Sequence, residues 1–149
     1  MQNTTTVPFD DAIRQTIENA RIIRKEASLR KTIGKRFIVP RKGKDGVQTI
    51  LYRPKENANI FNLPVLFNMH GGAWISGDAV FMESFCQMMA DEVHAFVVNI
   101  NYTKADEKPI LYAVEEVADV VKYFTVHADE YRINPIKTAV GGHSAGAQL

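Results

Sequence analysis

The chain has 149 residues, about the length of one domain, and 46% of them are apolar. That apolar share is ordinary for a globular protein and too high for a disordered one. The formal net charge of +1 gives no general reason to expect a nucleic-acid partner. Residues 21–44 are nevertheless strongly basic, which is typical of a solvated helix face and a Lys/Gly loop; an anionic partner surface is the alternative.

The sequence carries no sign of secretion or membrane insertion. The single cysteine, Cys86, cannot form an internal disulfide, and its place in a helical pattern predicts a small core residue. Residues 1–15 lack the basic start and apolar stretch of a secretory signal, and no apolar run reaches the length of a membrane span. These features predict a soluble, cytoplasmic protein.

The first third of the chain predicts a helix followed by a hairpin. The helix runs from a first turn near Pro8 to Gly34. Its apolar residues recur at helical spacing: Ile13, Ile17, Ala20, Ile23 and Ala27. Two short strands are predicted at 35–40 and 47–54, and the turn residues 43–46 between them favour an antiparallel hairpin.

Three nearly continuous apolar runs follow, at 63–70, 94–102 and 137–142. Strands that are buried on both faces have this pattern, as parallel strands between helices do. Helical patterns fill the two gaps, at 78–92 and 109–128. The alternation of strands and helices predicts an α/β fold with a largely parallel sheet.

The two gap helices each carry a predicted apolar stripe. Asp78 is the expected N-cap of the first helix, and Pro109 begins the second. The first stripe consists of Phe81, Phe85, Met88, Met89 and Val93. The second consists of Ile110, Val114, Val117, Val121, Phe124 and Ala128. Acidic residues Glu115, Glu116 and Asp119 lie off the second stripe.

The last predicted strand runs into Gly142-His143-Ser144-Ala145-Gly146, which fits the pattern G-x-S-x-G. A buried strand precedes the serine and a possible helix start follows it, which is the setting of a nucleophile elbow. A sharp turn there would hold Ser144 in a strained conformation and expose its hydroxyl. The flanking glycines would keep the strand and the helix from colliding.

A second glycine turn, His70-Gly71-Gly72-Ala73-Trp74, follows the strand predicted at 63–69. A nucleophilic serine needs hydrogen-bond donors for the oxyanion of its tetrahedral intermediate, and backbone N–H groups in a glycine turn can supply them. Each turn alone could be a simple loop. Because both turns lie at the ends of buried parallel strands, they are predicted to form one catalytic site together.

With these motifs the chain resembles the N-terminal half of a hormone-sensitive-lipase-like esterase, a family of α/β-hydrolases. That family has an H-G-G-G oxyanion loop, a D-Y-R-L-A-P-E-H-P stretch and a G-D-S-A-G elbow. Here the three correspond to "HGGAWISGD", "NYTKADEKP" and "GHSAG", in the same order. The resemblance covers residue 35 to the end, and residues 1–34 are similar to part of the family's helical cap.

The resemblance implies roles for individual residues. Ser144 would be the nucleophile, and His70 would brace the oxyanion loop. The oxyanion hole would be lined by Gly71, Gly72, Ala73 and Ala145, with donors from the last three. Esterases of this family use neither a cofactor nor a metal ion, so the resemblance implies none here.

The chain departs from the family pattern at several positions. Ala73 replaces the third glycine of the loop, and we expect the oxyanion hole to survive because a backbone N–H donates regardless of a methyl group. His143 replaces the acid before the serine. The middle motif differs at Asn101, Thr103, Lys104 and Asp106. Those changes affect the local turn rather than the chemistry.

The family order places the triad acid and histidine after the serine, yet only five residues follow Ser144. We therefore expect a fragment: a cap segment at 1–34 and the N-terminal half of a hydrolase core at 35–149. The histidines within the chain are predicted to be structural or exposed rather than a general base: His70, His94, His127 and His143.

The predicted function is a serine esterase of small acyl esters that is inactive as this fragment. Two alternatives stay open at this point. One is a peptidase or thioesterase, because the elbow does not distinguish among these reactions. The other is a non-catalytic, receptor-like or remnant hydrolase. The expected partner is a small ester, and the sequence does not indicate an oligomeric state.

Overall fold

The computed structural model describes residues 8–56 and 60–149. The helices are α1 (Pro8–Ser28), α2 (Glu83–Val93) and α3 (Ile110–Val126), and the strands are β1 (Lys35–Arg41), β2 (Lys44–Tyr52), β3 (Leu63–Met69), β4 (Phe96–Asn101) and β5 (Ile133–Gly142). Short 3₁₀ turns occupy Ala79–Met82 and Ser144–Gln148. In the described part of the chain, no helix is apolar over a length that could cross a bilayer.

The five strands form one mixed sheet in the order β1-β2-β4-β3-β5. The predicted hairpin is confirmed, since β1 pairs antiparallel with β2, which in turn pairs antiparallel with β4. The three later strands are parallel, with β3 between β4 and β5. Met69 lies opposite Gly142 in the β3–β5 register, so the glycine turns that follow these two strands emerge at the same edge of the sheet.

Helices cover both faces of the sheet, as the α/β prediction requires. On one face α3 packs on apolar side chains of β3 and β4, and the buried residues there include Val65, Phe67, Phe96, Val98, Ile100, Val117, Val120 and Phe124. On the other face α2 and the end of α1 cover a smaller cluster that includes Ala27, Ile50, Tyr52, Val80, Cys86, Ala90 and Val97. Cys86 is fully buried, so its predicted place in the core is confirmed.

Two predicted boundaries were wrong for identifiable reasons. The hairpin turn is shorter than expected: β2 begins at Lys44 rather than at residue 47, and Gly43 supplies the left-handed backbone with φ 70°. The first helix ends at Ser28, well before Gly34. A Cβ at Gly34 would lie 2.7 Å from side-chain atoms of Ile50 and Tyr52, so close packing against β2 explains this glycine.

The predicted stripes of α2 and α3 were also partly wrong. Phe81, Met88 and Val93 are each about half exposed, and α2 instead buries Cys86, Gln87 and Ala90. In α3 the buried side chains are Ala113, Glu116, Val117, Val120 and Phe124. This face also has helical spacing, and it is the one that meets the sheet.

Glu116 is buried although it lies off the predicted apolar stripe. Its carboxylate accepts hydrogen bonds from the Thr103 amide at 2.6 Å and from the Thr103 hydroxyl at 2.7 Å. These two bonds offset the loss of hydration of the carboxylate. The contact joins α3 to the segment after β4, which helical periodicity cannot reveal.

Candidate active site

The serine of the elbow has the strained backbone expected of a nucleophile. Ser144 has φ 51°, in the left-handed region that non-glycine residues rarely occupy. It follows His143, whose backbone is extended, and it begins the 3₁₀ turn Ser144–Gln148. Ser144 is exposed, whereas the next residue, Ala145, is buried.

The glycines two before and two after Ser144 allow the chain to fold back on itself. A Cβ at Gly142 would overlap the backbone of Gly146. A Cβ at Gly146 would lie 2.5 Å from the carbonyl oxygens of Met69 and His70, closer than van der Waals contact permits. The sequence analysis predicted that side chains at these two positions would make the strand and the following turn collide, and the structure confirms this. Gly146 also packs against the end of β3.

The loop after β3 turns sharply through four left-handed residues, which are Gly72, Ala73, Trp74 and Gly77 with φ values of 135°, 50°, 62° and 81°. The Gly72 carbonyl closes the turn by accepting from the amide of Ser76 at 2.8 Å and from its hydroxyl at 3.0 Å. A Cβ at Gly72 would overlap the Ser76 carbonyl, so only glycine fits there. We call residues 71–77 the glycine loop.

The glycine loop and the elbow are in contact. The His143 amide donates to the Met69 carbonyl at 3.0 Å. A Cβ placed on Gly71 would lie 2.9 Å from the His143 carbonyl oxygen and 3.3 Å from the Ser144 Cβ. The fold therefore places the two glycine turns side by side, with Ser144 at their junction.

Three backbone amides at this junction are free of protein partners. Within residues 8–56 and 60–149, no backbone carbonyl or side chain accepts a hydrogen bond from the amides of Gly72, Ala73 or Ala145. Ala145 is buried, Gly72 is partly buried and Ala73 is exposed. A buried backbone donor without an acceptor, as at Ala145, is rare. Unpaired donors in two adjacent turns are what a site that receives an oxyanion requires.

His70 lies under the glycine loop and is 2% exposed. Its ring stacks on Tyr102 with centroids 4.5 Å apart, and the Tyr102 hydroxyl donates to the His70 carbonyl at 2.8 Å. Nδ1 is 2.6 Å from the Gly71 carbonyl oxygen, and Nε2 is 3.2 Å from Asn101 Oδ1. Burial, aided by the positive charge of Lys104, lowers the pKa of His70 to about 4. The ring is therefore neutral at pH 7.

Two further contacts hold the glycine loop, and the sequence analysis missed both. The Ala105 amide donates to the Trp74 carbonyl at 2.8 Å. From α1, Arg24 donates to the Ile75 carbonyl, and it pairs with Asp106 at 3.0 Å. The many basic residues in 21–44 were a signal that ion pairs such as Arg24–Asp106 could form, but they did not identify the acidic partners.

The histidines other than His70 contact groups other than the serine hydroxyl. The His143 ring packs edge-on against Phe85, with centroids 4.9 Å apart. His127 bonds Glu130 at 2.8 Å at the end of α3, and His94 caps the end of α2. In the part of the chain that the structure describes, no histidine hydrogen-bonds Ser144, which agrees with the structural or surface roles predicted for them.

A nucleophile elbow and a glycine loop at the carboxyl edge of a parallel strand pair define the class of α/β-hydrolases. Residues 66–149 match the family model described as the alpha/beta hydrolase fold. The chain belongs to this family, within its hormone-sensitive-lipase-like branch.

Known proteins similar to the chain include esterases. It is 33% identical over 114 residues to an AB hydrolase superfamily protein of Schizosaccharomyces pombe, a match covering 74% of this chain and 33% of that protein. It is also 33% identical to an acetyl esterase of Salmonella schwarzengrund, covering 69% of this chain and 31% of that protein. A bacterial heroin esterase structure superposes with TM-score 0.73 at 28% identity, covering 96% of this chain and 47% of that one.

The chain thus spans about a third of the length of the curated relatives that it matches. It spans just under half of the heroin esterase chain. The matched part contains both glycine turns, because the family match extends from within β3 to Leu149.

Proposed function

We propose that this chain carries the nucleophile and the oxyanion hole of a serine carboxylic ester hydrolase that acts on small acyl esters. One observation carries the proposal: exposed, left-handed Ser144 lies against a glycine loop, and three amides at their junction have no acceptor among the residues that the structure describes. The similarity to an acetyl esterase and to a heroin esterase supports a small ester as the substrate class.

In the proposed reaction, Ser144 Oγ attacks the ester carbonyl carbon while its proton passes to a general base. The carbonyl oxygen becomes an oxyanion, which accepts hydrogen bonds from the amides of Gly72, Ala73 and Ala145. The carbon–oxygen bond to the alcohol then breaks, and the alcohol takes up the proton. Water hydrolyses the acyl-serine, releases the acid and restores Ser144.

The general base and its orienting acid come, in this proposal, from outside the 149 residues. The chain's four histidines all lie in the described residues, and none of them hydrogen-bonds the serine. His70 is enclosed beneath the glycine loop, where its nitrogens face Gly71 and Asn101. We therefore propose that the 149 residues alone turn over esters several orders of magnitude more slowly than the complete hydrolase.

The test compares Ser144→Ala with Ser84→Ala in the full-length protein and in the 149-residue chain. Ser84 is an exposed serine in α2 and serves as the matched control. Hydrolysis of p-nitrophenyl acetate and labelling by a fluorophosphonate probe are measured. We expect Ser144→Ala to remove at least about 99% of turnover and all labelling in the full-length protein, with no change in Ser84→Ala.

Three other results of these measurements would each favour a different hypothesis. Turnover that survives Ser144→Ala would reject Ser144 as the nucleophile. A full-length protein that neither hydrolyses esters nor reacts with the probe would favour a non-catalytic hydrolase. Fast turnover by the 149 residues alone would require a base within the chain, and His70 would be the first histidine to replace.

A further inference from the structure

A lysine is buried beside the glycine loop without an ion-pair partner. Lys104 is 4% exposed, and its ammonium lies 4.3 Å from the centroid of the Tyr102 ring. It donates to the Tyr102 carbonyl and to Asn101 Oδ1, the latter at 3.2 Å. Among the described residues, no carboxylate lies within ion-pair distance of it. A buried ammonium costs free energy unless it is well bonded, so its placement needs an explanation.

Asn101 links this lysine to His70. Its Oδ1 is 3.2 Å from both Lys104 Nζ and His70 Nε2, and its Nδ2 donates to Asp78 Oδ2 at 2.8 Å. Turning the amide over would place its NH₂ group against the ammonium and its oxygen against the Asp78 carboxylate. The opposite charges of Lys104 and Asp78 together fix the orientation of Asn101, with the oxygen towards the His70 ring.

Two oxygen acceptors face the His70 ring, but the neutral ring has only one N–H to donate. Nδ1 faces the Gly71 carbonyl at 2.6 Å, and Nε2 faces Asn101 Oδ1 at 3.2 Å. Asn101 Oδ1 already accepts from Lys104 Nζ and, at 3.4 Å, from the Ala79 amide. The Gly71 carbonyl is the nearer and less occupied acceptor.

Protonating both ring nitrogens would satisfy both acceptors, but two effects oppose it. Burial and the Lys104 charge disfavour the imidazolium, while Asp78 acts in the opposite direction more weakly. Burial and the charge of Arg24 lower the pKa of Lys104 to about 8, while the carboxylates of Asp78, Glu107 and Glu116 favour its charged form. Lys104 is therefore mostly charged at pH 7.

We propose that Lys104 is a positioning residue for the glycine loop: its ammonium bonds Asn101 Oδ1 and opposes a proton on the facing His70 Nε2, so that the ring carries its proton on Nδ1 and donates it to the Gly71 carbonyl. Gly71 lies directly against the elbow, so this bond sets the distance between the loop and Ser144. The proposal rests on the proposed function only in treating the loop as an oxyanion hole.

The test follows the ring nitrogens of His70 by NMR as a function of pH, in protein labelled with ¹⁵N-histidine. The variants are Lys104→Met, which removes the charge at similar length, and Lys104→Arg, which restores it. Lys108→Met is the matched control, since Lys108 is an exposed lysine on the same segment. Backbone spectra report whether each variant is folded.

We expect the proton of wild-type His70 to reside on Nδ1 at pH 7. Lys104→Met should raise the pKa of His70 by about one pH unit or more, because a neighbouring positive charge is lost. Lys104→Arg should return the pKa towards the wild-type value, and Lys108→Met should leave it unchanged. A role for Lys104 in packing alone would not shift this pKa.

Two results would overturn the proposal. One is a wild-type ring protonated on Nε2; the other is a folded Lys104→Met variant with an unshifted pKa of His70. Should Lys104→Met fail to fold, Lys104→Gln decides: it also removes the charge, so it should raise the pKa of His70, and no change would reject the proposal. These readouts are independent of ester turnover, so either proposal can fail without the other.

Discussion

The elbow and the glycine loop are both tight glycine turns, yet they are held in different ways. The elbow is fixed by close backbone contacts, because Gly142 and Gly146 meet each other and Gly146 meets the end of β3. The glycine loop is held largely by groups that are distant in sequence, such as Arg24 from α1 and Ala105 from the segment after β4. Close backbone contacts thus dominate at the elbow, whereas hydrogen bonds from distant segments add to the steric constraint of Gly72 in the glycine loop.

The largest effect is expected at the elbow. Gly146→Val would force a side chain into the carbonyl oxygens of Met69 and His70, so we expect a loss of at least about 4 kcal/mol in the free energy of unfolding. Gly141→Ala is the control, because a Cβ there meets only a Leu66 methyl at 3.7 Å. Urea unfolding measures both. Equal losses would show that steric exclusion at Gly146 does not fix the elbow.

In the glycine loop, Gly72→Ala should lower catalysis. A Cβ would displace the Ser76 carbonyl and move the Gly72 and Ala73 amides away from the position proposed for the oxyanion. We expect kcat/KM of the full-length protein for p-nitrophenyl acetate to fall by about 10²–10³-fold, the usual effect of losing an oxyanion donor. A variant with wild-type kcat/KM would exclude these amides from the oxyanion hole.

Acid should weaken the fold through His70 rather than through the elbow. The folded protein holds the pKa of His70 at about 4, against an ordinary value of 6.5. Between these values the unfolded chain binds more protons, so the free energy of unfolding falls as the pH drops from 6.5 to 4. The contribution of a group this deeply buried is about 2–3 kcal/mol.

Urea unfolding of wild type and of His70→Gln at pH 7.5, 6 and 4.5 measures this effect. The variant lacks the imidazole, so its stability should fall less steeply over this range. Parallel slopes for the two proteins would contradict a depressed pKa of His70.

Removing the contact from α1 should loosen the glycine loop moderately. The Arg24 side chain is 12% exposed and bonds Asp106, Glu107 and the Ile75 carbonyl. We expect Arg24→Gln to lower the free energy of unfolding by about 1–2 kcal/mol and to speed amide exchange in residues 74–77. Arg21→Gln, which removes a half-exposed partner of the same Asp106, should have a smaller effect on both measurements.

The smallest effect is expected at Ala73. The φ of Ala73 is 50°, in the left-handed region, so Ala73→Gly relieves backbone strain of about 1 kcal/mol. Glycine also gives the unfolded chain more conformational freedom, which lowers the free energy of unfolding by about the same amount. We expect the free energy of unfolding to change by less than about 1 kcal/mol and ester turnover by the full-length protein to stay unchanged. A large loss in either would mean that the Ala73 methyl group, and not only its amide, contributes to the site.

The sequence by itself determined the parallel strands and the two turns. Apolar runs that stop at glycines mark strands buried on both faces, and strands of one direction bring their ends to one edge. The positions of Gly72, Gly142 and Gly146 followed from local rules, because a left-handed backbone or a close crossing excludes a side chain. The roles of Ser144 and of the amides stay predictions until the variants are measured.

Only the tertiary structure decided which helix faces are buried and what holds the glycine loop. Helical periodicity shows that a face could be buried, but several faces of α3 satisfy it, and contact with the sheet selects the one that includes Glu116. Arg24 and Ile75 are 51 positions apart, and Lys104 replaces an apolar residue of the family pattern. Such polar contacts depend on which segments the fold brings together, so no local pattern in the sequence identifies them.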